Sequence, residues 1–180
     1  MPGIYTRGGD DGTTGLLYGS RVSKADLATQ AYGTTDETVA ALGVARAAAS
    51  GSTAEELLAL QRQLFVVGAD LAANPTERGK LEPGVSLVTS EMVRELEDRI
   101  DEIVAIHPLP NVFIVPGASP ASAAIDLARA VARRAERAVV AMEGADREVN
   151  PEVRRYLNRL SDLLFCMARR EAGESEPASR

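Results

Sequence analysis

The chain has 180 residues, of which 45% are hydrophobic and 4% aromatic, and its formal net charge is −6. That length predicts one domain with a real core, and the negative charge argues against a general nucleic-acid binder. One cysteine (Cys166) and one histidine (His107) exclude an internal disulfide and disfavour a cysteine-based or multi-histidine metal site and a Ser-His triad.

The chain opens on a glycine-rich segment, "IYTRGGDDGTTGLLYGSRVSK", from Ile4 to Lys24. Backbone N–H groups in such loops form concavities that bind phosphate, and threonine hydroxyls and Lys24 could assist. It is not a P-loop, because the GxxxxGK[ST] order is missing. A disordered lead-in is the alternative.

The N-terminus lacks a signal-peptide pattern, and no apolar stretch reaches the ~20 residues needed to span a bilayer, which predicts a cytoplasmic protein.

Five helical patterns follow. Thr34 and Glu37 have capping-box spacing, which predicts a first helix from Thr34 to about Ala49. Ser52 and Glu55 repeat the device and predict a second helix ending near Ala73. Residues 75–89 read as a loop. The later helix starts are predicted at Ser90, at Ser119-Pro120 and at Asn150-Pro151.

Apolar and small residues form heptad-like seams on the last two helices, which is typical of helices packed nearly antiparallel. The seam positions are Ile125, Ala128, Ala132, Ala135, Val139 and Met142, then Val153, Leu157, Leu160, Leu164 and Met167. Only "FIVP" resembles a strand. The sequence therefore predicts an all-α antiparallel bundle, with a polar tail from Glu171 onward.

A basic stripe runs beside the fourth-helix seam. Arg129, Arg133 and Arg137 are spaced four apart, with Arg134 and Glu136 beside them. Arginines clustered this closely repel one another unless an anion lies across them, and arginine binds phosphate oxygens bidentately. A solvated helix face is the ordinary alternative, and a protein acid such as Asp36 could also answer one of the charges. Together with the glycine-rich segment, the stripe favours a polyphosphate ligand.

Four blocks of the chain resemble the PduO-type ATP:cob(I)alamin adenosyltransferases. They are the N-terminal segment, "AYGTTDE", "FIVPGASPASAAIDLARAVARRAER" and "VNPEVRRYLNRLSDLLFCMAR", in family order from about Ile4 to Arg169. The resemblance implies a five-helix bundle that assembles as a homotrimer and transfers the 5′-deoxyadenosyl group of ATP to Co(I) of cobalamin, with Mg²⁺. It also implies one domain over residues 1–170, an ATP-binding loop over 1–24 and a flexible tail over 171–180.

Residue roles are implied by the same resemblance. An intersubunit salt bridge between Asp36 and Arg129 lies at the corrinoid end, and Phe113 lies under the corrin ring. Glu136 is a possible metal ligand, and Arg133 is expected to be catalytic. The residues implied at the nucleotide are Thr6, Arg7, Gly8, Gly9, Asp10, Thr14, Gly15, Lys24, Arg133, Arg134, Glu136, Arg137 and Asn158. A flavin-dependent reductase and an adenosylcobalamin-dependent mutase are the implied partners, with no nucleic acid and no membrane.

Two departures and several alternatives stay open. Gly8 replaces the second threonine of the family's T-x-T-G-D loop, and Ala118 replaces a glycine. A nucleotide- or corrinoid-binding module without turnover is therefore a second hypothesis, and a purely structural bundle is a third. Without the resemblance, Phe113 would be a core residue, Asn158 a satisfied buried amide and Asp36 a first-turn acid facing the helix dipole. Cys166 is expected to be buried, and His107 to be structural.

Overall fold

The computed structural model describes residues 4–5, 7–145, 147–173 and 176–178. Thr6, which is predicted at the nucleotide, lies outside them. The α-helices are α1 (Leu27–Ala48), α2 (Gly51–Leu71), α3 (Ser90–Ile106), α4 (Pro120–Glu143) and α5 (Pro151–Ala172). The short strands are β1 (Thr13–Gly15), β2 (Arg21–Ser23), β3 (Ile114–Val115) and β4 (Glu176–Pro177), and a 3-10 helix covers Pro75–Lys80.

The helices form a single bundle in which α4 packs between α1 and α5, α2 packs on α1, and α3 packs on α5. Ion pairs Arg147–Asp26 and Arg134–Glu37 show that α1 and α4 run antiparallel. Residues from the starts of α3 and α5 line one groove, and Ile106 and Arg169 near their ends line another, so this pair runs parallel. The predicted bundle is confirmed. No helix in the described ranges is long and apolar enough to cross a membrane.

The predicted seams of α4 and α5 form the centre of the core. Every seam residue named from the sequence is buried in the structure. Four alanines of α4, at positions 128, 132, 135 and 138, face the neighbouring helices. Alanine lets two helix backbones approach closely, because no long side chain separates them. This is why α4 can contact α1 and α5 along most of its length.

Three predicted helix starts need correction, and two are confirmed. The first helix begins at Leu27, capped by Asp26, so the capping box at Thr34 is wrong. Thr34 lies inside α1, where its hydroxyl donates to the Gln30 carbonyl at 2.7 Å. This local bond is available to threonine in mid-helix, so the residue type alone does not mark a start. The other two corrections move the cap by one or two residues, from Ser90 to Thr89 and from Ser52 to Ser50. The caps at Ser119 and Asn150, each followed by proline, are as predicted.

The segments predicted as irregular carry some regular structure. The 3-10 helix occupies the start of the 75–89 loop. Helix α5 runs on to Ala172, beyond the expected tail boundary at Glu171, and Glu176–Pro177 pairs antiparallel with Ile114–Val115. The "FIVP" strand is thus confirmed, and part of the polar tail is its partner.

A buried carboxylate joins four segments at one end of the bundle. Asp70, 1% exposed, accepts from Arg78 at 2.5 Å, from the Val88 amide at 2.9 Å and from the Asn150 side chain at 2.8 Å. The same Asn150 caps α5 by accepting from the Glu152 amide. Asp70 therefore ties the end of α2 to the 3-10 helix, to the approach to α3 and to the start of α5.

Asp70→Ala should lower the free energy of unfolding by about 3–5 kcal/mol, because it leaves the largely buried Arg78 charge and the buried Val88 amide without their partner. Urea denaturation followed by circular dichroism measures the loss. Asp98→Ala, at an exposed position of α3, is the matched control and should stay within about 0.5 kcal/mol of the parent. Equal stability of the two variants would contradict the role of Asp70.

Candidate active site

The glycine-rich segment is folded as a hairpin and anchored to the bundle. Strands β1 and β2 pair antiparallel, with Thr14 opposite Val22 and Gly15 opposite Arg21. Beyond β1, the Leu17 amide donates to the Ala72 carbonyl and the Asn74 amide donates to the Leu17 carbonyl, both at 2.9 Å. The alternative of a disordered lead-in is therefore wrong for the described part of this segment.

The turn before β1 is held by Lys24. Its Nζ donates to the Gly9 carbonyl at 2.8 Å, and its backbone amide donates to the Gly12 carbonyl at 2.9 Å. A Cβ on Gly9 would lie 3.1 Å from both Lys24 Nζ and the Thr13 carbonyl oxygen, so a larger residue would press against the contact that Lys24 makes here. Arg7 and Asp10 are exposed at the outer edge of the turn. The predicted nucleotide residues that the structure describes in this segment thus lie together on one small hairpin.

Arg21, which the sequence analysis did not single out, braces the loop from β2. Its Nε and Nη2 both donate to the Thr13 hydroxyl oxygen, at 3.0 Å and 2.6 Å, and Nη2 also donates to the Gly8 carbonyl. The Thr13 hydroxyl in turn donates to Asp11 at 2.7 Å. This bond, with the Thr13 amide and the Arg21 charge, lowers the pKa of Asp11. Thr14 lies on the other face of the hairpin, since neighbouring residues of a strand point to opposite sides.

The arginine stripe of α4 divides into two kinds of side chain. Arg129 donates through Nε to the buried Asp126 at 3.1 Å and lies over the Phe165 ring. Asp126 also pairs with the buried Arg169. Arg134 pairs with Glu37 of α1. The alternative, in which an acid of the protein neutralises the arginine charge, is therefore correct for Arg129 and Arg134, although neither partner is Asp36.

The other two arginines of the stripe are different. Arg133 and Arg137 are exposed, and within the part of the chain that the structure describes they make no ion pair or side-chain hydrogen bond. Their spacing of four places them on one side of α4, one turn apart. Two unneutralised guanidinium groups on one helix face are suited to an anion with more than one phosphate.

Glu136 and Asn158 meet across the α4–α5 interface. The Asn158 amide donates to Glu136 at 3.0 Å, and its oxygen accepts from Arg159. Asn158 is thus a satisfied polar group in the bundle, as the alternative held. Among the residues described, no cluster of three or more acidic, histidine or cysteine side chains could hold a metal ion. Glu136 therefore has no preformed protein metal site around it, and a divalent cation would need ligands from a bound phosphate.

Phe113 lies at the opposite end of α4 from the hairpin anchor. It follows α3, precedes β3 and is 89% exposed, so the alternative of a core residue is wrong. Its flanking residues Val112 and Ile114 face a cavity of about 530 Å³ on the other side of the segment. Phe113 thus presents its ring to the outside of the chain. His107 caps the end of α3 and lines the same cavity.

Asp36 lies in the middle of α1, so its prediction as a first-turn acid is wrong. It is exposed and, in the described ranges, has no charged or hydrogen-bonding partner. It borders an apolar groove of about 480 Å³ between α1 and α2, where Leu17 and the 66% exposed Phe65 also lie. Within one chain Arg129 pairs with Asp126 and not with Asp36.

One chain separates the predicted site into two parts. The hairpin is anchored at the end of α2, and α2 runs parallel to α4, so the anchor lies at the C-terminal end of α4. Phe113 lies near its N-terminal end, and the 24 residues of α4 span about 36 Å. Sequence reasoning missed Arg21, Glu37 and Asp126. The partners of Glu37 and Asp126 on other helices lie 97 and 43 positions away, and those of Arg21 depend on the register of the hairpin.

The fold and this arrangement define a class: a five-helix bundle with a glycine-rich hairpin at one end and an arginine-rich fourth helix. A family model described as "Cobalamin adenosyltransferase" matches residues 4–171. The chain belongs to that family.

Named relatives agree with this assignment. A corrinoid adenosyltransferase from Citrobacter freundii is 43% identical over 93% of this chain and 94% of its own length. The corrinoid adenosyltransferase PduO of Salmonella typhimurium is 41% identical over 98% of this chain, which spans about half of that relative, 52%. A solved variant of a PduO-type ATP:corrinoid adenosyltransferase from Lactobacillus reuteri, complexed with cobalamin and ATP, is 29% identical, with a TM-score of 0.89 over 99% of this chain and 97% of that one.

Proposed function

We propose that this protein transfers the 5′-deoxyadenosyl group of ATP to Co(I) of a corrinoid, giving adenosylcobalamin and triphosphate. The observation that carries the proposal is the pair Arg133 and Arg137, which lack a protein partner in the described chain, in a member of the cobalamin adenosyltransferase family. The residues over 1–170 act as one domain, with 1–24 as the ATP-binding loop.

The reaction explains why the chain needs no activated nucleophile. Co(I) supplies both electrons of the new cobalt–carbon bond at C5′. The C5′–O bond breaks as that bond forms, and its electron pair leaves with triphosphate. No proton moves at the reacting carbon, so no general base is required. The protein's tasks are to hold cobalt and C5′ in line and to stabilise the negative charge that grows on the leaving triphosphate.

The hairpin and α4 share the second task. Gly9 and Gly15 offer backbone amides, Gly8 belongs to the same predicted set, and Lys24 supplies a charge whose Nζ donates to the Gly9 carbonyl. Arg133 and Arg137 supply the unneutralised charges of α4. Arg7, Asp10 and Thr14 complete the predicted set on the loop, together with Thr6. Arg134 contributes less, because Glu37 already neutralises it.

The described residues offer Mg²⁺ too few ligands to bind it alone, so most of its ligands would have to be phosphate oxygens of the nucleotide. Glu136, held by Asn158 at 3.0 Å, offers one carboxylate oxygen to a hydrated cation that is otherwise held by phosphate oxygens. Bound there, Mg²⁺ would neutralise phosphate charge. Asn158 keeps Glu136 oriented, and Arg159 holds Asn158 in turn.

Phe113 is proposed to face the lower side of the corrin ring. Its 89% exposure leaves the whole ring available to a flat, apolar partner. Lying there, it would exclude water and the lower axial ligand, which makes Co(II) easier to reduce. The electron would come from a flavin-dependent reductase. The product would pass to an adenosylcobalamin-dependent mutase. The need for reduced cobalt favours the cytoplasm as the location.

A homotrimer would complete the site. One chain holds its hairpin anchor and Phe113 at opposite ends of α4, and leaves Asp36 without a partner in the described ranges. Arg129 uses Nε for Asp126, so the ends of its guanidinium are available to Asp36 of a neighbouring subunit. That salt bridge would bring the two halves of the site together.

The direct test is spectroscopic. Chemically prepared cob(I)alamin, ATP and Mg²⁺ should give the absorption spectrum of adenosylcobalamin only when the protein is present. Unchanged spectra over hours, with a folded protein that still binds ATP, would replace this proposal with the binding module.

Arg133→Ala should lower the rate of transfer by about 10²–10³, because it removes a charge that meets the leaving group in the transition state. Arg134→Ala is the matched comparison on the next residue. It should cost no more than about fivefold, the scale of an exposed ion pair. Steady-state rates at saturating ATP measure both, and similar losses in the two variants would contradict the division of the stripe.

Phe113→Ala should impair adenosylation that starts from Co(II) far more than adenosylation from prepared Co(I), since the ring acts on the reduction step. Because the side chain is 89% exposed, the free energy of unfolding should change by no more than about 0.5 kcal/mol. Parallel assays with and without a chemical reductant separate the two steps. Equal loss of both activities would remove the proposed role in reduction.

Asp36→Arg should weaken the trimer, because it sets a like charge against Arg129 of the neighbouring subunit. Light scattering across a dilution series measures the assembly, and Asp98→Arg on the exposed face of α3 is the control. A parent protein that is monomeric at working concentration and fully active would contradict the trimer.

A further inference from the structure

We infer that Arg21 is a positioning residue for the nucleotide: it holds the turn 8–13 in the shape that binds phosphate and does not itself contact the phosphates. The inference rests on the proposed function. Its basis is a fork of hydrogen bonds from one exposed guanidinium to two points of the turn, the Gly8 carbonyl and the Thr13 hydroxyl.

The register of the hairpin explains how Arg21 reaches both points. Arg21 lies opposite Gly15 and diagonal to Thr13, on the same face of the two strands. Diagonal neighbours are within reach of a long side chain. Gly15 has no side chain, so nothing from that position blocks Arg21 as it leans toward Thr13.

Thr13, the residue that accepts from Arg21, is itself held in place by Asp11. The Thr13 hydroxyl and amide both donate to Asp11 Oδ1, at 2.7 Å and 2.9 Å, and Arg21 lies 3.8 Å from the same oxygen. The Thr13 hydroxyl thus donates once and accepts from Arg21, which leaves it no proton for a phosphate. Arg21, Thr13 and Asp11 form a closed set whose members satisfy one another.

A brace of this kind acts on binding more than on chemistry. The turn carries Gly8 and Gly9, and Lys24 holds it from the other side through the Gly9 carbonyl. If Arg21 is removed, ATP must order the turn when it binds, and the cost of ordering appears as lost affinity. Once ATP is saturating the turn is ordered again, so the rate of transfer should recover.

The geometry also distinguishes Arg21 from a phosphate ligand. A phosphate contact depends on charge, which lysine would restore in part. The brace depends on two nitrogens of a planar group: Nε and Nη2 both donate to the Thr13 hydroxyl oxygen, while Nη2 also donates to the Gly8 carbonyl. An ammonium group has a single nitrogen and cannot reproduce that geometry. Arginine and lysine should therefore differ sharply at this position.

The experiment uses the full-length protein with Arg21→Ala, Arg21→Lys, Thr13→Ala and the double variant Arg21→Ala/Thr13→Ala. Calorimetric titration with ATP in the absence of corrinoid gives Kd, and transfer assays give KM for ATP and kcat. We expect Arg21→Ala and Arg21→Lys each to raise Kd and KM about tenfold, with kcat within about twofold of the parent. The double variant should match the single variants, because residues of one network are not additive.

Arg94→Ala is the control, since Arg94 is an exposed arginine with one carboxylate partner on α3, and its constants should equal those of the parent. Full rescue by lysine, a large fall in kcat, multiplicative effects in the double variant or an unchanged Kd would each overturn the inference. If the parent binds ATP but does not transfer, the proposed reaction fails while the Kd series still decides the role of Arg21.

Discussion

Close packing of α4 against two helices is the constraint on which the rest of the structure depends. Its buried alanines leave no space for a long side chain between α4 and its neighbours α1 and α5. Charged residues of α4 are therefore confined to the remaining faces. Arg133 and Arg137 have to project away from the core, and any group that neutralises their charge has to lie outside the packed seam. The same small residues that form the core thus create the arginine face.

The opposite requirement holds at the hairpin, where a flexible segment has to keep one shape. The structure meets it with few contacts: the backbone bonds between Leu17 and the end of α2, the Lys24 contact to Gly9, and the bond of Asp26, which caps α1 and pairs with Arg147. Asp70 secures the bundle end on which the hairpin is anchored. The loop is thus held at its base by the bundle and across its turn by Lys24 and Arg21.

Sequence reasoning predicted the features that depend on local pattern. The seams, the proline-marked starts of α4 and α5 and the β3 strand follow from periodicity and from residues with one strong backbone preference. Thr34 misled because a threonine can bond its own helix as well as cap one. The pairs Arg134–Glu37 and Arg169–Asp126 join residues 97 and 43 positions apart, and nothing in a single sequence links them. The apolar neighbours of Phe113 in "VFIVP" suggested a core residue, and only the family resemblance pointed to a ring available to a ligand, which agrees with its 89% exposure.

The partition of charge on α4 bears on where catalysis can occur. Arg129 and Arg134 form ion pairs within the chain, with Asp126 and Glu37, whereas Arg133 and Arg137 have no ion-pair partner within the described chain. Asp36 on α1 is an acid that likewise has no charged partner within the described chain. In the proposed assembly Asp36 pairs with Arg129 of a neighbouring copy, and closed symmetry satisfies every such pair. Arg133 lies one turn from Arg129 on α4, so a polyphosphate held by Arg133 and Arg137 would lie beside that interface, where solvent is reduced and each charge contact is strengthened. Assembly and transition-state stabilisation would thus use different arginines of one helix.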